Sequence, residues 1–530
     1  MKKIFAIIAL GLALTATSCK DYFTLERPSQ YPWQSASELE MAVRAPYLYY
    51  VGAAWANPIG ACFNRFGESD MARFTGKQGD SYYYAYWARS YKKLVLENSK
   101  ELEGGFEYLY YMVTACNAPL SLIEECEKAK KDPFPDMTQA DRDLVQRIKG
   151  ELLFCRAFAY WNLARTWCPP YDSANTDGIN DTKHFVLRTT YESSSDKLKN
   201  PELATTKQVY DQIVADLKAA INVLPESYYS GDNNNRMRVN KYAAKALLAR
   251  VCFSMGNFSE CKTLCDEVIA QTELYALDPD LVAPFNKMSG QGTSKEVIFE
   301  IAYSSSSDRY DRNPGIMGYA AYNGNRGKMC GYCAFSMSYY GCEKIGWLDA
   351  QHQVTSEAQK DLRFQNLYVY HEGDVTETGE PDKSKYPEPA IYLFKYFRGP
   401  TPTDNGRRAN RPIIRLADLY LMRAQISFMN NVKDEAVKDV NEIRTRAGLE
   451  PVKTDTITEE IIENERIKEM LGENGDRIFW LQALHKDIPL GDAIGDRAAA
   501  SVLKYPYKDC YYNIPVFETL SNNAYNESSK

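Results

Sequence analysis

Histidine is scarce in this chain of 530 residues: His184, His352, His371 and His485 are the four, each alone in a polar or helical setting. That leaves little material for imidazole acid–base chemistry or for histidine-ligated metal. No HExxH or GxSxG sequence occurs, and no Gly-rich phosphate loop follows a strand pattern. Paired glycosidase carboxylates have no fixed spacing to search for among 70 acidic residues, and nothing else names a catalytic group. The chain therefore reads as a binding protein and not as an enzyme. Basic clusters are missing too: with a net charge of -7 and no Lys/Arg run, there is no footprint for phosphate backbones, which excludes nucleic acid as a partner. Long apolar runs are also missing. Ile4 to Ala16 falls below the roughly 20 residues that span a bilayer, and no later run reaches that length, so no transmembrane helix is expected. Cys330-Gly-Tyr-Cys333 with Cys342 is the only tight cysteine group, without a second CxxC or a nearby histidine. A metal is not expected there, and no cofactor anywhere; a local disulfide or free thiols remain.

What is present begins with an export signal: Met1-Lys2-Lys3, the apolar run, then Thr17-Ser18-Cys19. A cysteine directly after small residues at the end of an apolar run is the pattern of a bacterial lipoprotein signal, with Cys19 acylated as the mature N-terminus. Lys20-Asp21 resembles the pair that sends some lipoproteins to the outer leaflet of the outer membrane. The expected location is the outer membrane, lipid-anchored and facing outward. Tyrosine is abundant, 39 residues beside 7 Trp and 21 Phe, which suggests a wet, aromatic surface. The other twelve cysteines do not form a small-domain disulfide framework, because a chain this long has core enough without staples; most sit in helical apolar patterns, where a thiol acts as a small hydrophobe.

Helical periodicity organises most of the chain. It appears around Glu38 to Tyr47, from Tyr108 to Cys126, and most clearly from Asp141 to Trp167, where Pro169-Pro170 stops it. A short strand is expected at Phe185-Val186-Leu187, then a helix from Thr206 to Leu224. Asn240 has the character of an N-cap. Beyond it, small residues (Ala243, Ala246, Ala249), a turn at Gly256-Asn257-Phe258 and a second helix through Cys261, Cys265 and Val268 make a helix-turn-helix of tetratricopeptide type. A second copy runs from Arg415 to Gly448, and a third pair begins at a capping box from Thr456 to Glu459 and continues to about His485. Between the repeats the chain is poor in helical periodicity and rich in Gly, Ser, Asn and Tyr, with one strand over Glu296 to Ile301. The expected fold class is mostly α, a tetratricopeptide-like helical-repeat scaffold with a loop-rich inserted region containing short β-strands. Its expected parts are a lipoprotein signal peptide (1–18), a lipidated tether (19–34), an N-terminal helical region (35–293), a loop-rich ligand-platform insertion (294–411), and a C-terminal helical-repeat region with a closing segment (412–530).

These landmarks resemble the SusD/RagB family of outer-membrane nutrient-binding lipoproteins across nearly the whole chain. Tyr108 to Asn117 resembles a family helix ending in Asn, and Glu151 to Trp167 its helix with an Arg-Ala-aromatic core. Lys245 to Ile269 and Arg411 to Leu449 are similar to its two clearest repeats, while Asp361 to Phe364 and Lys395-Tyr396 match shorter marks. Glu465-Arg466, Glu469, Glu473, Gly475 and Arg477 follow the order of its C-terminal signature, with one residue inserted near Asn474 and the usual aspartate replaced around Trp480-Leu481. Pro515 to Glu518 and Asn522 resemble its closing segment. The signature charges are expected to form ion pairs between helices. The resemblance implies a nutrient-binding protein that delivers a glycan, or in some branches a peptide, to a SusC-type TonB-dependent outer-membrane transporter. A scaffold repeat protein without a transport role is the remaining reading.

Sugar recognition uses flat aromatic faces for C–H groups and planar amides or guanidinium groups for hydroxyls. Two regions offer both. In the first, Tyr83, Tyr84, Tyr86, Trp87 and Arg89 fall in a loop-rich stretch. In the second, Tyr319, Tyr322, Asn323, Asn325 and Arg326 lie among glycines, with Tyr339, Tyr340 and Trp347 just beyond.

Overall fold

The computed structural model describes residues 32–51, 69–75, 100–191, 201–230, 236–287, 292–301, 322–323, 328–329, 335–373, 376–378, 388–395, 410–473, 476–489, 502–506, 511–522 and 524–525. In chain order the elements are α1 (Ala36–Ala42), α2 (Arg44–Val51), β1 (Ala72–Phe74), α3 (Lys100–Lys128), α4 (Gln139–Trp167), β2 (Lys183–Val186), β3 (Leu203–Thr205), α5 (Thr206–Val223), α6 (Lys241–Ser254) and α7 (Phe258–Ile269). The inserted region holds β4 (Val297–Ile301), β5 (Tyr322–Asn323), β6 (Lys328–Met329), β7 (Phe335–Met337), α8 (Tyr339–Lys344), α9 (Ser356–Lys360), α10 (Leu362–Leu367), β8 (Tyr368–His371) and β9 (Ala390–Leu393). It closes on β10 (Arg411–Arg415), followed by α11 (Leu416–Met429), α12 (Lys433–Arg446), α13 (Glu459–Met470), α14 (Asp476–Ala483), β11 (Ile488–Pro489), β12 (Val502–Leu503) and α15 (Val516–Ser521). The fold is mostly α, and the described strands pair antiparallel in twos. Among the described residues no helix is long and apolar enough to cross a membrane.

Each helix packs on the next: α3 on α4, α4 on α5, α5 on α6, α6 on α7, α7 on α11, and α11 on α12 and α13. This is a stack of helix pairs with one main core and two smaller buried clusters where α12 meets its neighbours. Small residues permit the close approaches. Ala243, Ala246 and Ala249 are fully buried on α6, and at Gly150 of α4 an added Cβ would lie 2.6 Å from the Leu224 side chain. The turn between α6 and α7 uses Gly256 in the left-handed region, φ +73°.

Helix starts follow side-chain chemistry. Thr138 and Thr205 complete capping boxes with Asp141 and Gln208, and Asn240 Oδ1 accepts from Ala243 N at 2.8 Å. The third repeat pair starts two residues later than expected. Thr458 caps α13 by accepting from Ile461 N at 3.2 Å, while Thr456 bonds back to Lys453. The reason is apolar: Ile457 and Ile462, flanking the cap as a hydrophobic staple, share one buried cluster. The inserted region is more helical than its sequence pattern suggested, because Ser338, Thr355 and Asp361 each cap a short helix of five or six residues, too short to display a period. The described cysteines Cys116, Cys126, Cys155, Cys168, Cys252, Cys261, Cys265 and Cys342 are buried free thiols; Cys330 and Cys333 lie outside the described residues.

The ion pairs anticipated for the C-terminal signature are present. Arg415, at the end of β10, bonds Glu473 twice at 2.8 Å, Glu469 at 3.1 Å, and Glu296. Glu469 and Glu296 also take Arg446 at 2.6 Å, and Glu473 takes Lys395 at 2.7 Å. Three cations thus balance three carboxylates, all buried, between the inserted region and the repeats. Two other marks are structural as well: Arg156 of α4 grips Asp216 of α5 at 2.7 and 2.8 Å and Asn117 of α3 at 3.0 Å.

One buried carboxyl is poorly compensated. Glu300 of β4 is 1% exposed, and its ordinary value is pushed up to about 7 by burial, against the hydrogen bond from Asn410 and the field of Arg236. A raised folded value means the folded chain holds the proton that the unfolded chain has released, so stability falls as pH rises from about 4.5 to 7. Glu300→Gln is therefore expected to stabilise the protein by up to about 3 kcal/mol at pH 8 and by little at pH 4.5. Urea unfolding midpoints at the two pH values check this; equal gains at both would refute the assignment.

Candidate ligand platform

The platform begins from a long-range strand pair. Asp70, just before β1, receives both Nε and Nη2 of Arg477 at 2.9 and 2.7 Å, and its carbonyl accepts from Ser338 Oγ at 2.6 Å. That fixes β1 against β7, with Ala72 opposite Met337, Arg73 opposite Ser336 and Phe74 opposite Phe335. Phe74 and Phe335 meet edge to face at 5.7 Å. At this end of the sheet the chain leaves toward 76–99, and beside it the chain arrives from 330–334. Phe74 and Phe335, the strand residues nearest to those two stretches of chain, are therefore opposite one another, although more than two hundred residues separate them. Trp87, Arg89, Tyr83, Tyr84 and Tyr86 lie outside the described residues, as do Tyr319, Asn325, Arg326 and Cys19. Of the second region, β5 and β6 form an antiparallel pair with Tyr322 opposite Met329 and Asn323 opposite Lys328.

The described candidates part company. Trp347 is fully buried, edge-on to Phe364 at 5.4 Å and Tyr368 at 4.7 Å. It packs the core and offers no face to a ligand, a correction to the sequence reading. Tyr339 is half-buried inside a stack. The Arg73 guanidinium lies 4.2 Å from its ring centroid, and the His352 ring is parallel to it at 3.6 Å. Two groups this close must take opposite faces of the ring, so Tyr339 is a spacer and not a stacking surface. Its hydroxyl donates to Pro389 O at 2.9 Å, and its ionisation is pushed up by burial, with Arg73 acting against it. Tyr340, 37% exposed, is the described candidate that keeps contact with solvent.

Sequence reasoning missed the group that holds this edge. Arg73 is 1% exposed, yet its Nη1 reaches Glu388 at 2.8 Å and its Nη2 donates to Pro389 O at 2.9 Å. His352 adopts a left-handed backbone, φ 59°. No local signal marks these residues, because Arg73 meets partners 266 and 315 positions away. A planar, charged stack anchored on the buried Arg73, with Tyr339 half-buried and His352 40% exposed, holds this edge near an open surface.

Comparison with known proteins bears on the fold and the family. A family model described as "Starch-binding associating with outer membrane" matches residues 54–253, and a model of the SusD family matches residues 295–480. The chain is 26% identical over 324 residues to the SusD-like protein P2 of Formosa agariphila, a stretch covering 58% of this chain and 57% of that one. Among solved structures, a putative sugar binding protein from Bacteroides vulgatus superposes with a TM-score of 0.69 at 20% identity, covering 93% of this chain and 98% of the other. Surface glycan-binding protein A from Bacteroides uniformis gives 0.67 at 20% identity, covering 92% and 98%.

Proposed function

Because this chain belongs to the SusD family, whose proteins associate with the outer membrane and bind sugars, we propose that it is a cell-surface lipoprotein that captures a glycan and passes it to a SusC-type TonB-dependent transporter. The observation that carries the ligand half of this reading is the β1–β7 pair, from one end of which both aromatic and amide-rich segments extend. Tyr83, Tyr84, Tyr86, Trp87 and Arg89 on one segment, with Tyr319, Tyr322, Asn323, Asn325 and Arg326 on the other, are the proposed ligand-binding residues, together with the exposed Tyr340. The chemistry is binding alone: stacking and planar hydrogen bonding hold the sugar, and no group is assigned a covalent role. Affinity should be modest, since an exposed platform buries little ligand and orders flexible glycosidic linkages. Delivery to a transporter rests on family membership; co-purification in mild detergent should bring a large outer-membrane protein with this chain, and its recovery alone would count against that half.

Calorimetry of the soluble protein lacking residues 1–19, against a panel of polysaccharides and peptide digests, tests the ligand. A glycan response is expected, and Trp87→Ala and Tyr322→Ala should each weaken it by about 1 kcal/mol or more. Response to peptides alone would replace the glycan reading with a peptide one, leaving uptake intact.

A further inference from the structure

The first long helix pair leaves a gap in its packing. α3 ends in a turn of Schellman type: Lys131 N donates to Cys126 O and Lys130 N to Glu127 O, both at 3.0 Å, with Lys130 in the left-handed region, φ 53°. α4 begins only at the Thr138 cap, so a loop joins the two helices. A cavity of about 120 Å³ lies at this junction, lined by Ile123 and Cys126 of α3, Val145 of α4, and Pro133 and Met137 of the loop. Ile123, Cys126, Met137 and Val145 are buried. Burial pushes the Cys126 thiol up, so it stays a neutral S–H and counts with the apolar lining.

The polar groups on the rim are already engaged with one another. Arg142 holds Asp132 through Nε at 3.1 Å and Nη2 at 2.7 Å, while Lys149 Nζ and Gln146 Nε2 hold Glu127 at 2.6 and 3.2 Å. These pairs tie α4 to the loop and to α3 around the gap, which resists its collapse. A water inside would find few polar groups to bond, whereas a well-held buried water makes about three hydrogen bonds. An apolar guest is the better fit. The volume is close to the roughly 150 Å³ of apolar cavity that admits benzene. Two features favour a ring over an alkyl group of equal size: the sulfurs of Met137 and Cys126 line the cavity, and Lys131 and Arg142 stand on its rim. Sulfur and cations both make favourable contacts with aromatic rings.

We propose that this cavity between α3 and α4 binds a monocyclic aromatic ring. It is independent of the glycan reading, and its test uses different probes. The soluble protein lacking residues 1–19 is titrated with benzene, phenol and cyclohexanol, followed by NMR of labelled methyl groups and by the melting temperature. Benzene and phenol are expected to bind saturably and to raise the melting temperature. Cyclohexanol, which matches phenol in size and hydroxyl but lacks a π face, should bind at least fivefold more weakly. In the wild-type protein the bound ring should show proton contacts to the methyl groups of Ile123, Met137 and Val145, a readout that needs no variant to fold. Val145→Phe, which fills the cavity from within, should weaken benzene binding at least tenfold. Absence of saturable aromatic binding, equal binding of cyclohexanol and phenol, ring contacts confined to other methyl groups, or undiminished binding by a folded Val145→Phe each overturns the proposal.

Discussion

Replacing Arg415 with Met is expected to destabilise the protein by about 3–5 kcal/mol, seen as a lower thermal or urea midpoint. Arg415 is 2% exposed and donates to three carboxylates from two distant parts of the chain, Glu296 before β4 and Glu469 and Glu473 at the end of α13. Removing it leaves Arg446 and Lys395, with Arg363 at 3.9 Å from Glu469 but bonded to Asp361 and Glu465, to balance three buried negative charges, and a methionine supplies bulk but no compensation. Arg415→Lys should fall between, since an ammonium keeps the charge and loses the fork that bonds Glu473 through two nitrogens. The penalty should shrink in acid. Burial raises the Glu469 carboxyl, but Arg446, Arg415, Arg363 and Lys395 outweigh it and hold it well below the usual carboxylate range. Burial likewise raises Glu473, and Arg415 and Lys395 reverse it. Depressed folded values contribute stability above the unfolded value of about 4.3 that is lost as pH falls through the folded values. The gap between wild type and Arg415→Met should therefore narrow below about pH 4. A constant gap from pH 7 to pH 3 would show that the loss is one of packing and not of charge.

Cys19→Ala is expected to abolish membrane retention and the surface signal on intact cells. The proposed acyl chains would supply about 0.8 kcal/mol per buried CH₂, far more than any contact the exposed apolar side chains could make, so the loss should be near complete and not graded. Antibody labelling of whole cells, with fractionation of membranes, is the measurement. Retention at wild-type level would refute acylation at Cys19 and require another means of attachment.

How much of this was legible in the chain itself follows from distance along it. Amphipathic periods, Gly256 at the repeat turn and the cap at Asn240 are set within one or two helical turns, so their residues could be read in order. The same holds for the repeat architecture and the charge order from Glu465 to Arg477. Even the misplaced cap of α13 was an error of two residues, settled by whether Ile457 could be buried with Ile462. What those signature charges hold was not legible. Arg477 finds Asp70, 407 positions away, and Arg363 finds Glu465, 102 positions away; nothing in the local sequence names either partner. Burial of the aromatics was beyond reach for the same reason. Trp347, Tyr339 and Tyr340 fall within nine residues, yet one is core, one is sandwiched between Arg73 and His352, and one meets solvent. Composition shows that a segment is rich in rings, but whether a ring face is free depends on which distant strand packs against it. The sequence by itself determined the repeats, their caps and the family they mark, because those signals repeat at 3 to 4 residue intervals. Only the tertiary structure decided which charges neutralise one another and which ring faces stay open, because both depend on contacts closed across hundreds of residues.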